Sequence, residues 1–313
     1  MSTDGPARPA PRVRPATGGA RRRLTVAQLG AAGRFRIIQA TRAQWTTMEA
    51  RIQEEGWDPG LSDADILFNQ DPRAFFIGLL DNAPVSAVSV VTYGSRIAFL
   101  GNYFVAPAQR GRGLGLETWR VAVLHAGDRA IGLEAVPAQV PTYRRAGFSD
   151  LYSTIGYRGR IPNVRGTRQD PHIVPYLARH ASAIAALDGA CFPQNRPAFA
   201  DAWAADPGHR TLVRTRGADV TGYGVIRPTT RGHRIGPLIG ESQGDALVLF
   251  DALANLHPGA AVSFHAPEPN LAALKLARLR GLTEISRTVR MYTQPARPIA
   301  LANCYAIGSL AYG

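Results

Sequence analysis

The chain has 313 residues, 45% apolar and 19% charged, with a formal net charge of +13. That length suggests two domains at about 150 residues each. The composition excludes a chain disordered throughout, and the absence of any apolar run of about eighteen residues excludes a membrane-spanning helix. The basic excess is almost wholly arginine, with Lys275 the one lysine. Beyond the N-terminal segment the arginines are scattered among acids instead of clustering with aromatics, so neither a nucleic-acid nor a membrane partner is expected. Cys191 and Cys304 make no disulfide framework, and the dispersed histidines make no metal site, so the expectation is a reduced, cytoplasmic protein without metal.

Residues 1–33 are rich in Arg, Pro, Ala and Gly with no apolar period, which predicts a disordered tail. Arg21-Arg22-Arg23 ahead of Leu24 faintly resembles a twin-arginine export signal, but the apolar stretch is short, is broken by Gln28 and lacks a cleavage site. Phe35–Ala40 reads as a strand. Thr41 caps a helix over Arg42–Glu55, and Ser62 caps a second near Asp63–Asn69. Ala74–Leu80, Val85–Tyr93 and Ile97–Val105 read as an antiparallel meander. A glycine-rich loop then opens a helix that runs to His125, followed by a strand over Ile131–Val136 and a helix ending in Tyr143-Arg144-Arg145-Ala146-Gly147-Phe148. The polar run 161–170 is a linker, dividing the chain into 34–160 and 171–313.

The loop, Arg110-Gly111-Arg112-Gly113-Leu114-Gly115, carries the most chemistry. Free N–H groups at a helix N-terminus and the positive end of the helix dipole make an anion site. Glycines allow close approach of the backbone, and arginines add charge-assisted bonds. A P-loop would need Gly-Lys followed by Ser or Thr. A dinucleotide fingerprint would open the first βαβ unit with a different glycine spacing.

With Val105-Ala106-Pro107 before it, this segment resembles the GNAT N-acetyltransferase superfamily, and Tyr143 to Phe148 resembles that family's second signature. The resemblance implies an α+β fold with a mixed sheet, in two tandem units that each have flanking helices and a central splayed parallel strand pair. It implies acetyl-CoA as cosubstrate and direct attack of an amine on the thioester; the acceptor expected is a small-molecule amine, with sugars, polyamines, amino acids, protein side chains and an O-acceptor left open. Phe104 and Val105 would supply strand contacts, Arg110, Gly111, Arg112, Gly113, Leu114 and Gly115 would hold the pyrophosphate, and Tyr143 would protonate the departing thiolate. Many family members place a carboxylate on the strand before the loop, whereas this chain has Gly101-Asn102-Tyr103. Glu134 is then the candidate base or cation binder, or else the partner of an arginine. Trp57, Asp58 and Tyr103 are candidates for the acceptor pocket. Asp58, Asp63 and Asp65 sit where the family often forms that pocket, but the reading preferred for them is a solvated loop and helix start.

The second half repeats the pattern, with Gly281-Leu282 at an offset of about 130 residues from Gly147-Phe148. There the position of Tyr143 is taken by Ala277 and that of Arg110 by Glu241, while Asn270, eleven residues before Gly281, stands where many members of the family it resembles have an asparagine. The arrangement resembles tandem GNAT proteins with one active and one degenerate unit. Two other readings stay open: a non-catalytic acetyl-CoA or small-molecule sensor, and a serine hydrolase built on Gly240-Glu241-Ser242-Gln243-Gly244 with Asp251 and His257 or His265.

Overall fold

The computed structural model describes residues 35–161 and 170–313. The expected tail and almost all of the expected linker lie outside the described residues. The first half runs β1 (Phe35–Gln39), α1 (Arg42–Glu54), α2 (Asp63–Gln70), β2 (Phe75–Leu80), β3 (Ala83–Tyr93), β4 (Ile97–Val105), α3 (Leu114–Ala122), β5 (Ala130–Ala135), α4 (Val140–Arg145) and β6 (Ser149–Arg160). Thr41 and Gln44 form a reciprocal capping box that starts α1. β2 and β3 are apolar almost throughout because both faces of the sheet are covered. Trp45, Met48 and Leu67 of α1 and α2 pack on one face, and Trp119, Val121 and Ala122 of α3 on the other.

The second half runs β7 (Ile173–Pro175), α5 (Ala181–Cys191), α6 (Pro197–Ala205), β8 (Arg210–Arg216), β9 (Asp219–Thr229), β10 (Gly232–Gly240), α7 (Gln243–Ala254), β11 (Ala261–Pro267), α8 (Leu271–Leu279), β12 (Thr283–Tyr292) and β13 (Cys304–Ala306). Three of these elements carry no clear signal in the sequence: β6, α6 and β13.

All thirteen strands of the described residues join one mixed sheet, and its order shows how the halves interlock. β12 lies between β5 and β6, and β6 lies between β12 and β11. Each half therefore lends its last long strand to the other. Glu134 of β5 stands opposite Arg290 of β12, and Tyr157 of β6 opposite Phe264 of β11. The core on the α1 and α2 side is shared as well, with Phe199 and Trp203 of α6 beside Tyr93 and Tyr312.

The two parallel strand pairs splay in both halves, with different consequences. β4 and β5 pair only from Ile97↔Ala130 to Phe99↔Gly132, and then diverge although both strands continue. β10 and β11 likewise pair only at His233↔Val262 and Arg234↔Ser263. Here the gap is filled by the chain itself. β13 pairs with β10 at Leu238↔Ala306 and Ile239↔Cys304, and the Ile307 N–H donates to the His265 carbonyl of β11 at 3.0 Å. Asn270 holds this plug: its side-chain amide donates to the carbonyls of Leu301, Ala302 and Cys304 while its oxygen caps α8.

Candidate active site

The open wedge between β4 and β5 ends at the glycine loop. Gly111 and Gly113 have φ of +75° and +82°, where no side chain would clash but any L-residue is strained. Gly115 is required for a different reason: a Cβ there would lie 2.4 Å from Cγ2 of Val105 and 2.7 Å from the Tyr103 hydroxyl. α3 starts at Gly113 with no side-chain cap, so its first-turn N–H groups face outward as donors for an anion. Arg110 and Arg112 flank the loop. Arg110 also bonds the Val105 carbonyl and pairs with Glu55 at 2.7 Å, and Arg112 bonds Gln109. Gly113→Ala is expected to strain this N-cap by about 1–2 kcal/mol, read in calorimetry as a roughly tenfold rise in the Kd for coenzyme A.

Tyr143 stands on α4 at the side of the wedge, its ring 5.5 Å from Trp119 and 5.9 Å from Phe148. Burial, and the neighbouring Tyr103, push its hydroxyl well above the ordinary tyrosine range, so it stays protonated. Tyr103 packs 5.4 Å from Trp119, and burial pushes its hydroxyl up to about 12. Trp119 is 3% exposed, and its indole N–H has no partner among the described residues. Three polar aromatic groups thus meet on the α3 face of the sheet.

Phe104 is buried and Val105 half-buried; they pair with Ala87 and Ser86 of β3, which leaves their other edge toward the wedge. Tyr103, one of the three acceptor-pocket candidates, lies on the α3 face with Trp119 and Tyr143, apart from Trp57 and Asp58 on the α1–α2 connection. The cause is a bulge: Ala87 pairs with Phe104 but Ser89 with Gly101, so Asn102 and Tyr103 together oppose one residue of β3. The extra residue reverses the alternation of faces for the rest of β4. Asn102 sits in it with φ +53°. Asparagine is among the few residue types that tolerate this conformation, which is the signal that sequence reading overlooked.

Both candidate carboxylates are already engaged. Glu134 accepts from Arg290 Nε at 2.6 Å, Thr288 Oγ1 at 2.6 Å and Thr154 Oγ1 at 3.0 Å, and the side chains of the ion pair are 2% and 1% exposed. Of its two readings, the structure gives the arginine partner. Asp58 is buried, not solvated: Arg158, Thr229 and Thr230 donate to it at 2.8–3.0 Å. It ties the α1–α2 connection to Arg158 of β6 and to Thr229 and Thr230 of the second half. Asp63 is buried too, while Asp65 is exposed and paired with Arg42. Trp57 is 42% exposed.

The hydrolase constellation does not assemble. Ser242 is the N-cap of α7, accepting from the Asp245 N–H and donating to Asp245 Oδ2 at 2.7 Å. Asp251 is bound bidentately by Arg280, and His257 stacks on His233 at 3.7 Å. Ser242→Ala is expected to lower stability by about 0.5–2 kcal/mol through the lost cap, measured by denaturant unfolding, and to leave acyl transfer at the wild-type rate.

A splayed parallel pair, a capless glycine-led helix and a tyrosine beside them define a GNAT-type acyl-transfer fold, and the chain belongs to the GNAT acetyltransferase family. Residues 38–148 match the model of the "Acetyltransferase (GNAT) family", and residues 184–306 that of the "Acetyltransferase (GNAT) domain". Among curated proteins it is similar to the Holothin acyltransferase of Pseudoalteromonas sp. (strain SANK 73390), with 33% identity over 261 residues, covering 79% of this chain and 87% of that one. Among solved structures it shares its fold with a protein from Pyrococcus horikoshii at a TM-score of 0.75 and 21% identity, covering 95% of this chain and 100% of that one. The same holds for a tandem GNAT protein from the clavulanic acid biosynthesis pathway, at a TM-score of 0.60 and 17% identity, covering 84% of this chain and 100% of that one.

Proposed function

We propose that this protein is a cytoplasmic acyl-CoA-dependent N-acyltransferase, with acetyl-CoA as donor and a small-molecule amine as acceptor, working in the first-half wedge alone. The observation that carries the reading is the contrast between the two wedges: the first is open beside Tyr143, and the second is filled by β13.

The chemistry follows from the residues. The first-turn N–H groups of α3, with Arg112 and Arg110, hold the donor's pyrophosphate. The unpaired edge of β4 beyond Phe99 aligns the pantetheine arm, and its N–H groups stabilise the oxyanion formed when the amine attacks the thioester carbon. Collapse of that intermediate breaks the C–S bond; the phenol of Tyr143 gives its proton to the leaving thiolate, whose reference pKa is about 8.5, and the surplus proton on the former amine nitrogen passes through solvent to the resulting phenolate, leaving a neutral amide, free thiol and neutral tyrosine. Glu134 and Asp58 are held in ion pairs and do not serve as bases. An acceptor whose amine is already neutral at neutral pH suits this wedge better than a strongly basic one. The resemblance to an acyltransferase named for holothin supports a small-molecule acceptor.

The test is thiol release from acetyl-CoA with a panel of amines, together with calorimetry of coenzyme A. Turnover favouring weakly basic amines and one coenzyme per chain are expected. Tight coenzyme binding without turnover on any amine would replace the transferase with a sensor, and two coenzymes per chain would refute the closed second wedge.

A further inference from the structure

The segment after β13 leaves the plugged wedge of the second half and ends against β4 of the first. Three contacts place it at the point where β4 and β5 separate. The Ala311 carbonyl lies where a Cβ on Gly101 would be 2.2 Å away. The Tyr312 hydroxyl accepts from the Asn102 side-chain amide at 2.8 Å. The Tyr93 hydroxyl donates to the Tyr312 carbonyl at 3.0 Å. Tyr312 is 3% exposed and Asn102 6%.

Asn102 is the bulge residue whose left-handed backbone turns Tyr103 toward Tyr143 and Trp119. Asparagine tolerates this conformation better than most residues, yet still at a cost relative to glycine that its surroundings must offset. Here the hold is the side-chain amide, which donates to Ser89 Oγ at 3.0 Å and to Tyr312. One of these partners comes from the same half, and the other is delivered by the second.

We propose that Tyr312 is a positioning residue for acyl transfer: by holding Asn102 it fixes the β4 bulge, and with it the main-chain N–H groups of the wedge and the placement of Tyr103 against Tyr143. The second half then has a task its closed wedge makes possible, because β13 anchors the strap that carries Tyr312. This rests on the first-half wedge being the transfer site.

The test is a double-mutant cycle between Tyr312→Phe and Asn102→Gly, with kcat, both KM values and the melting temperature measured in the full chain. Glycine adopts positive φ without help, so it removes the need for the hold. Tyr312→Phe is expected to lower kcat about tenfold in the wild-type background and less than twofold in the Asn102→Gly background. A loss of equal size in both backgrounds, or a shift of melting temperature with kcat unchanged, would overturn the proposal. If Tyr312→Phe unfolds the chain, Ser89→Ala, which removes the other partner of the Asn102 amide, carries the same cycle and the same outcomes. Absence of turnover in the wild type would count against the transferase reading, which is scored separately from the cycle.

Discussion

Tyr143→Phe is expected to lower kcat for acyl transfer by about 10²–10⁴-fold, the usual range for a lost general acid, while coenzyme A binds as before. The ring contacts with Trp119 and Phe148 need no hydroxyl, so phenylalanine keeps the packing and removes only the proton. Stopped-flow or steady-state thiol release gives kcat, and calorimetry gives the coenzyme Kd. A parallel loss of binding would mean that Tyr143 holds the donor and does not protonate it. The pH profile follows from the same environment. The hydroxyl is a donor only when protonated, so its contribution is full at low pH and lost as pH rises through its pKa. Burial, then Tyr103, lift that pKa above the ordinary value of about 10. The alkaline limb of kcat should therefore stay flat to about pH 10, and a fall near pH 8 would contradict the assignment.

Asp63→Ala is expected to cost about 3–5 kcal/mol of stability, because it leaves a buried guanidinium without its counter-charge. Arg227 is fully buried; its Nε donates to Asp63 Oδ1 at 2.7 Å and its Nη2 to Asp63 Oδ2 at 3.3 Å, while Nη1 donates to the Gly236 carbonyl at 2.6 Å and Nη2 also to the Gly308 carbonyl at 2.8 Å. One cluster thus joins the start of α2, the bend of β10 and the strap that leads to Tyr312. Gly60 is part of the same fit, since a Cβ there would lie 2.2 Å from Asp63 Oδ1. Asp63→Asn, which keeps an acceptor, should cost less. Urea unfolding distinguishes the two variants, and equal, small effects for both would mean that Arg227 is held well enough by the carbonyls alone.

The local chemistry of the site was legible because it is contiguous in sequence. Val105 to Gly115 spells out a strand end, a glycine loop and a helix start, each set by its own residues, and Tyr143 precedes Gly147-Phe148 by a fixed turn of helix. The capping box at Thr41 and Gln44, the meander and the loss of Tyr143's counterpart at Ala277 come from the same kind of short-range information. What could not be read depends on residues far apart in the chain. Glu134 and Asp58 show only that carboxylates are present; their arginines lie 156 and 100 positions away. A buried charge is defined by what packs on it, and sequence spacing does not record that. The face that Tyr103 presents could not be read either, because one left-handed residue, Asn102, reverses a two-residue alternation. The exchange of β6 and β12 and the plugging of the second wedge by β13 were likewise decided only by tertiary structure. Backbone hydrogen bonds satisfy any strand equally well, so the choice of neighbour falls to side-chain packing across the completed sheet.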